Sequence, residues 1–288
     1  MSFVKAIIFI ISFWSAVSHG DNASAEQIPF SIPNTEKIVL PVSANGIAYE
    51  LYVHVPPACS HSSQCPVVYM LDAEYSFALA STIITHLTDR NRIPPVISVA
   101  IGYPDKSHYR RDRTRDYTPF FHQTGGYGEE MQKVSGGGPA FLEVIKAEVI
   151  PFIEESFPAA TTNRTLVGHS YGGLFASYAW MTAPDIFDNY IIISPSLWYA
   201  DGAPLAAVRK ACEDESVSES NIYLAVGAYE EQPQNGRAMV SDLEALEEIL
   251  SNCESRKVST YMRVFEDETH ASIFPAAFST GLRKLFQR

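Results

Sequence analysis

The chain has 288 residues, 46% hydrophobic and 12% aromatic, which supplies core for one large α/β domain or two small ones. Its net charge of −12 argues against nucleic acid as a partner, since phosphate binding needs a basic face, and gives no support to an anionic membrane surface.

Lys5 precedes an apolar run from Ala6 to Val17, too short to span a bilayer as a helix. Small residues follow, with Ala23-Ser24-Ala25 as a cleavage signature and Ser18-His19-Gly20 as an alternative. This pattern reads as a secretory signal over residues 1–25, leaving 26–288 as a single domain in the periplasm or outside the cell. Cleavage removes Lys5 and Asp21 together, so the mature charge stays at −12. No later run is apolar enough to cross a membrane, so no stable membrane association is expected after cleavage.

Lys37–Val42 and Ile47–Val55 read as two strands joined by a turn at Asn45-Gly46. Tyr49, Leu51, Val53 and Val55 alternate onto one face. Pro66–Leu71 and Pro95–Ile101 are continuous apolar runs, expected as strands buried on both faces. A helix is expected between them over Phe77–Leu87. Periodicity vanishes from Gly102 to Gly138. That stretch is rich in arginine, aromatics and glycine, and reads as a long loop beside a functional site. Phe141–Phe157 has helical spacing, with a kink expected at Pro151. Strands then alternate with helices to the end: Tyr190–Ile193, Ile222–Val226 and Val258–Phe265 as strands, and Ala271–Phe286 as a closing helix. The alternation predicts an α/β architecture with a mostly parallel central sheet and helices on both faces.

Four cysteines fit an exported chain with two disulfides. Cys59 and Cys65 bracket one short polar loop and are the favoured local pair, which leaves Cys212 with Cys253. Their spacings are not those of a metal site, so no metal is expected.

Chemistry centres on Gly168-His169-Ser170-Tyr171-Gly172-Gly173, set between an apolar strand and a helical run. G-x-S-x-G in that setting is the nucleophile elbow of α/β-hydrolases. A serine hydroxyl needs a base to take its proton. The fold orders serine, acid, histidine along the chain, and among eight histidines His270 alone follows Ser170. The acid is expected after the penultimate strand, where Glu230 is preferred over Glu231; Asp201 lies one strand earlier. The oxyanion is expected between the backbone N–H groups of Tyr171 and Ala73. These parts describe acyl transfer on a small-molecule ester without a metal or organic cofactor.

Several motifs together resemble the Putative esterase (esterase D-like) family of α/β-hydrolases. They are Val67–Asp72, Ile101-Gly102-Tyr103, Arg115–Pro119, the Gly168–Gly173 elbow, Ser194–Trp198 and His270. Within that family the chain looks like the esterases that cut siderophore trilactones such as enterobactin and bacillibactin. The resemblance implies a Ser170–His270 pair, Arg111 and Arg115 as contacts for an anionic or catecholate ligand, and Trp198 as a wall of the acyl pocket. The same family also holds carbohydrate and small-acyl esterases and acyltransferases. A silent binding module is the alternative outside enzymology. The early loop reads Asp72-Ala73 where relatives often carry Asp-Gly.

Overall fold

The computed structural model describes residues 27–213, 219–254 and 257–287. The expected signal segment lies outside them. Among the described residues, ten strands and nine α-helices follow one another from Thr35 onward. In the first half these are β1 (Thr35–Val39), β2 (Glu50–His54), β3 (Cys65–Met70), α1 (Ala73–Asp89), β4 (Ile97–Gly102), α2 (Tyr109–Tyr117), α3 (Glu129–Gln132), α4 (Gly138–Val144) and α5 (Ile150–Ser156). The second half contains β5 (Ala159–His169), α6 (Tyr171–Thr182), β6 (Asn189–Ile193), α7 (Ala203–Ala211), β7 (Glu219–Gly227), β8 (Glu231–Gln232), β9 (Arg237–Ala238), α8 (Met239–Ser251), β10 (Lys257–Phe265) and α9 (Phe274–Phe286).

Eight strands form one sheet in the order β1-β2-β4-β3-β5-β6-β7-β10. β1 and β2 pair antiparallel, as do β2 and β4; every later neighbour is parallel. The central strands are buried along their length, and so read as unbroken apolar runs. One face packs beneath α1 and α9 through Phe77, Ile84, Phe274 and Phe278. The other packs beneath the remaining long helices through Phe141, Phe175, Trp180 and Leu246. This is the mostly parallel, two-faced α/β arrangement that the alternation predicts and the α/β-hydrolase order that the elbow implies. The cysteines pair Cys59–Cys65 and Cys212–Cys253.

Helix boundaries depart from the pattern in physically informative ways. α1 starts at Ala73, directly after a left-handed Asp72 (φ 58°), four residues before the expected Phe77. The closing helix begins at Phe274, later than the expected Ala271. The expected helix around Pro151 is continuous, but its middle, Ile145–Val149, widens into a π turn. Pro151 has no N–H to give to residue 147, and a wider turn accommodates the missing bond.

The largest correction concerns Gly102–Gly138. It contains a 3-10 turn at Lys106–His108, the nine-residue α2 and the short α3. Apolar periodicity cannot reveal α2, because its inward face is polar. Tyr109, Arg113 and Tyr117 recur at spacing four, and all three side chains bond Asp72. Arg115 and Asp116 pair with each other, and Asp116 also accepts from the Tyr49 and Tyr103 hydroxyls.

Candidate active site

Ser170 stands between β5 and α6 with φ 61° and ψ −120°, a conformation that L-residues rarely adopt. Its neighbours explain how the turn is held. The Ser170 N–H donates to the Ile193 carbonyl at 3.0 Å, and its carbonyl accepts from Ser196 N–H at 3.1 Å. A Cβ at Gly168 would run into the Gly172 carbonyl, and one at Gly173 would meet Pro195 Cα at 2.9 Å. Only glycine lets β5, α6 and the β6 exit loop approach so closely.

The register of the last two sheet strands places the other groups. β7 and β10 run parallel and end level, with Gly227 opposite Phe265. Their exit loops therefore lie side by side, and Tyr229 N–H donates to the Glu268 carbonyl across them. Glu230 follows β7 in a 3-10 turn and is buried; His270 follows β10 and stays partly open. His270 Nδ1 donates to Glu230 Oε2 at 2.5 Å. The other carboxylate oxygen accepts from Ser194 Oγ at 2.7 Å and Gly227 N–H at 2.8 Å. With Nδ1 committed to the carboxylate, Nε2 is the nitrogen left to act as base.

Ser170, His270 and Glu230 line one cavity of about 510 Å3. Tyr171 and Trp198 are on its wall too. Tyr171 opens α6, where first-turn N–H groups have no intrahelical acceptor. Its hydroxyl accepts from Gly126 N–H and Gln132 Nε2, both at 2.9 Å, and so ties the 125–132 segment over the cavity.

The remaining expected residues fall elsewhere. Ala73, first residue of α1, is buried and is not among the residues that line the cavity. Arg111 is exposed and off the wall. Arg115 bonds Asp112 and Asp116 and is likewise off it. The arginine of α2 that does line the cavity is Arg113. It is buried, forked onto Asp72 at 2.9 and 3.0 Å, and donates to Tyr127 Oη at 2.6 Å. The repeat of 109, 113 and 117 is the signal that would have found it. Glu231 caps α8, accepting from Val240 N–H, Ser241 N–H and Ser241 Oγ. Asp201 is exposed on a separate pocket. Tyr127, Tyr229 and Arg237 also line the cavity and carry no sequence motif.

His169 lies beneath His270, ring centroids 4.6 Å apart, and shares a hydrogen bond with Tyr75 Oη at 3.0 Å. Burial pushes its pKa well below the ordinary histidine value, and the neighbouring His270 and Arg113 push the same way. These effects favour its neutral form.

A serine in a strained strand-to-helix turn, with an imidazole tied to a buried carboxylate on the same cavity, defines a serine hydrolase of the α/β-hydrolase class. Residues 43–285 match the family model described as Putative esterase, and the chain belongs to that family, whose members hydrolyse carboxylic esters. A siderophore enterobactin esterase of Emericella nidulans is 29% identical over 266 residues, covering 81% of this chain and 88% of that protein. The ferri-bacillibactin esterase of Bacillus subtilis is 27% identical over 266 residues, covering 88% and 90%. The crystal structure of the BES protein from Bacillus cereus superposes with a TM-score of 0.80 at 27% identity, covering 92% of this chain and all of that one.

Proposed function

We propose that the protein hydrolyses the ester bonds of a siderophore, with Ser170 as nucleophile, His270 as general base and Glu230 as the orienting acid. The observation that carries the catalytic part is the His270–Glu230 bond on the cavity that Ser170 lines. His270 Nε2 takes the Ser170 proton as Oγ attacks the ester carbonyl. Glu230 steadies the imidazolium, and the Tyr171 N–H faces the developing oxyanion. His270 then returns the proton to the leaving alcohol, and water releases the acyl group by the same route.

The substrate class is supported by the similarity to siderophore esterases and by the wall itself. Tyr127, Tyr171, Trp198 and Tyr229 provide aromatic faces, and Arg113 and Arg237 provide guanidinium groups. Such a lining suits the flat, electron-rich arms of a catecholate trilactone. Action outside the cytoplasm, in the periplasm or medium, is supported by the signal-like N-terminus and the two disulfides.

Ferric and iron-free enterobactin should be cleaved by the wild type, and Ser170→Ala should lose at least about 10^3 in kcat with an unchanged circular dichroism spectrum. A fluorophosphonate should label the wild type and not the variant. Wild-type turnover by Ser170→Ala would remove the catalytic assignment. Turnover of simple esters with none of trilactones would remove the substrate.

A further inference from the structure

We propose that Arg237 makes this cavity selective for negatively charged esters, an inference that builds on the serine site and on the siderophore reading. Arg237 lies on β9, in the small β8–β9 ribbon that follows the Glu230 turn. Its guanidinium sits 5.2 Å from the centroid of the Trp198 ring. Both residues line the catalytic cavity and also an adjoining pocket of about 290 Å3, together with Gly126. The Trp198–Arg237 stack is thus the partition between the two spaces, reachable from either side.

The charges around the cavity leave Arg237 a distinct position. Arg113, the other cation on the wall, is neutralised by the forked bond to Asp72. Glu230 is committed to His270, and Glu231 to the start of α8. Asp201 lines the adjoining pocket. Among the described residues Arg237 forms no ion pair with it or with any other carboxylate. The chain as a whole carries −12 and repels anions at long range, so a local cation with no ion-pair partner, on the cavity that Ser170 also lines, governs which of them can settle. Stacking on Trp198 holds the guanidinium in place before substrate arrives, which lowers the ordering entropy of binding. The ligand class is an ester with a carboxylate, phenolate or metal-bound catecholate a few ångströms from the scissile carbonyl, its aromatic part meeting Trp198 or Tyr229.

The test compares 4-nitrophenyl hydrogen adipate, which carries a carboxylate, with neutral 4-nitrophenyl hexanoate. Wild type, Arg237→Gln and Arg237→Lys are assayed for kcat and KM on both. Arg237 is exposed, and circular dichroism confirms that each variant is folded. The ratio of kcat/KM for the anionic over the neutral ester should fall about tenfold in Arg237→Gln, mainly through KM of the anionic ester, and Arg237→Lys should recover part of it. A ratio within twofold of wild type in Arg237→Gln would overturn the proposal, as would equal losses on both esters. A charge preference that disappears in Arg237→Gln, in a protein that leaves trilactones intact, would uphold Arg237 and sink the siderophore reading alone.

Discussion

Two adjacent glutamates show how local geometry assigns different work to the same side chain. Glu230 Oε2 holds the imidazole, and its partner oxygen is fixed by Ser194 and Gly227. Glu231 closes the N-terminus of α8. Glu230→Gln should therefore lower kcat by about 10^2- to 10^4-fold, because an amide no longer enforces one imidazole tautomer. Glu231→Gln should lower stability by about 1 kcal/mol, in the range of a lost cap, and leave kcat within a few-fold. Steady-state kinetics and urea denaturation of both variants separate the two roles. His54 supplies a pH effect. It is buried on β2, and burial lowers its pKa. The folded protein thus resists a proton that the unfolded chain accepts near pH 6.5. Its contribution is fully present above that value and is lost as pH falls below it. The urea midpoint should drop between pH 7.5 and 5.5, and His54→Gln should flatten the drop.

At the scale of elements, the proposed base and acid travel together while the proposed nucleophile stands apart. His270 and Glu230 hang from β10 and β7, a parallel pair at one margin of the sheet, and among the described residues β10 has a single sheet neighbour. Ser170 hangs from β5 in the interior of the sheet. Opening at the β10 margin would disturb His270 before the core lets go. Amide exchange should be faster along β10 than along β5, and esterase activity in rising urea should be lost ahead of the far-UV circular dichroism signal. The same elements mark what the sequence makes legible. Buried strands and the elbow stand out because their apolar runs and glycines have one structural meaning. α2 does not, since Arg113 and Tyr109 are held inside by Asp72, a contact across a long stretch of chain that no local window contains. Arg111 and Arg115 fall on the faces of α2 turned away from Asp72, so choosing among the arginines required the helix phase. The β8–β9 ribbon is two residues per strand, too short for any alternation to register.

For the whole molecule, the disulfides act at two ranges. Cys59–Cys65 closes a span of 6 residues and Cys212–Cys253 a span of 41. Loop-closure entropy assigns about 2 and about 4 kcal/mol to them. Replacing Cys212 and Cys253 together by serine should lower unfolding free energy toward the larger value, read from urea or thermal denaturation, while the Cys59/Cys65 double variant should lose less. The longer bridge fastens α7 to the end of α8, the helix that Glu231 caps, so its removal should also weaken the side of the molecule that carries β7 and β10.

The elbow carries a consequence for the history of the sequence. A residue at φ 61° and ψ −120° is strained by about 1–3 kcal/mol unless it is glycine. Selection for folding alone would drive position 170 toward glycine, and selection for the proposed nucleophile keeps serine. The chain retains the less stable residue at this turn, and Gly168 and Gly173 are constrained in step, because a side chain at either would clash with the backbone that shapes it. With Ser170 as the proposed nucleophile, drift toward stability would silence the enzyme while preserving its shape, and a descendant that had lost Ser170 would still show this sheet, both disulfides and the buried carboxylate.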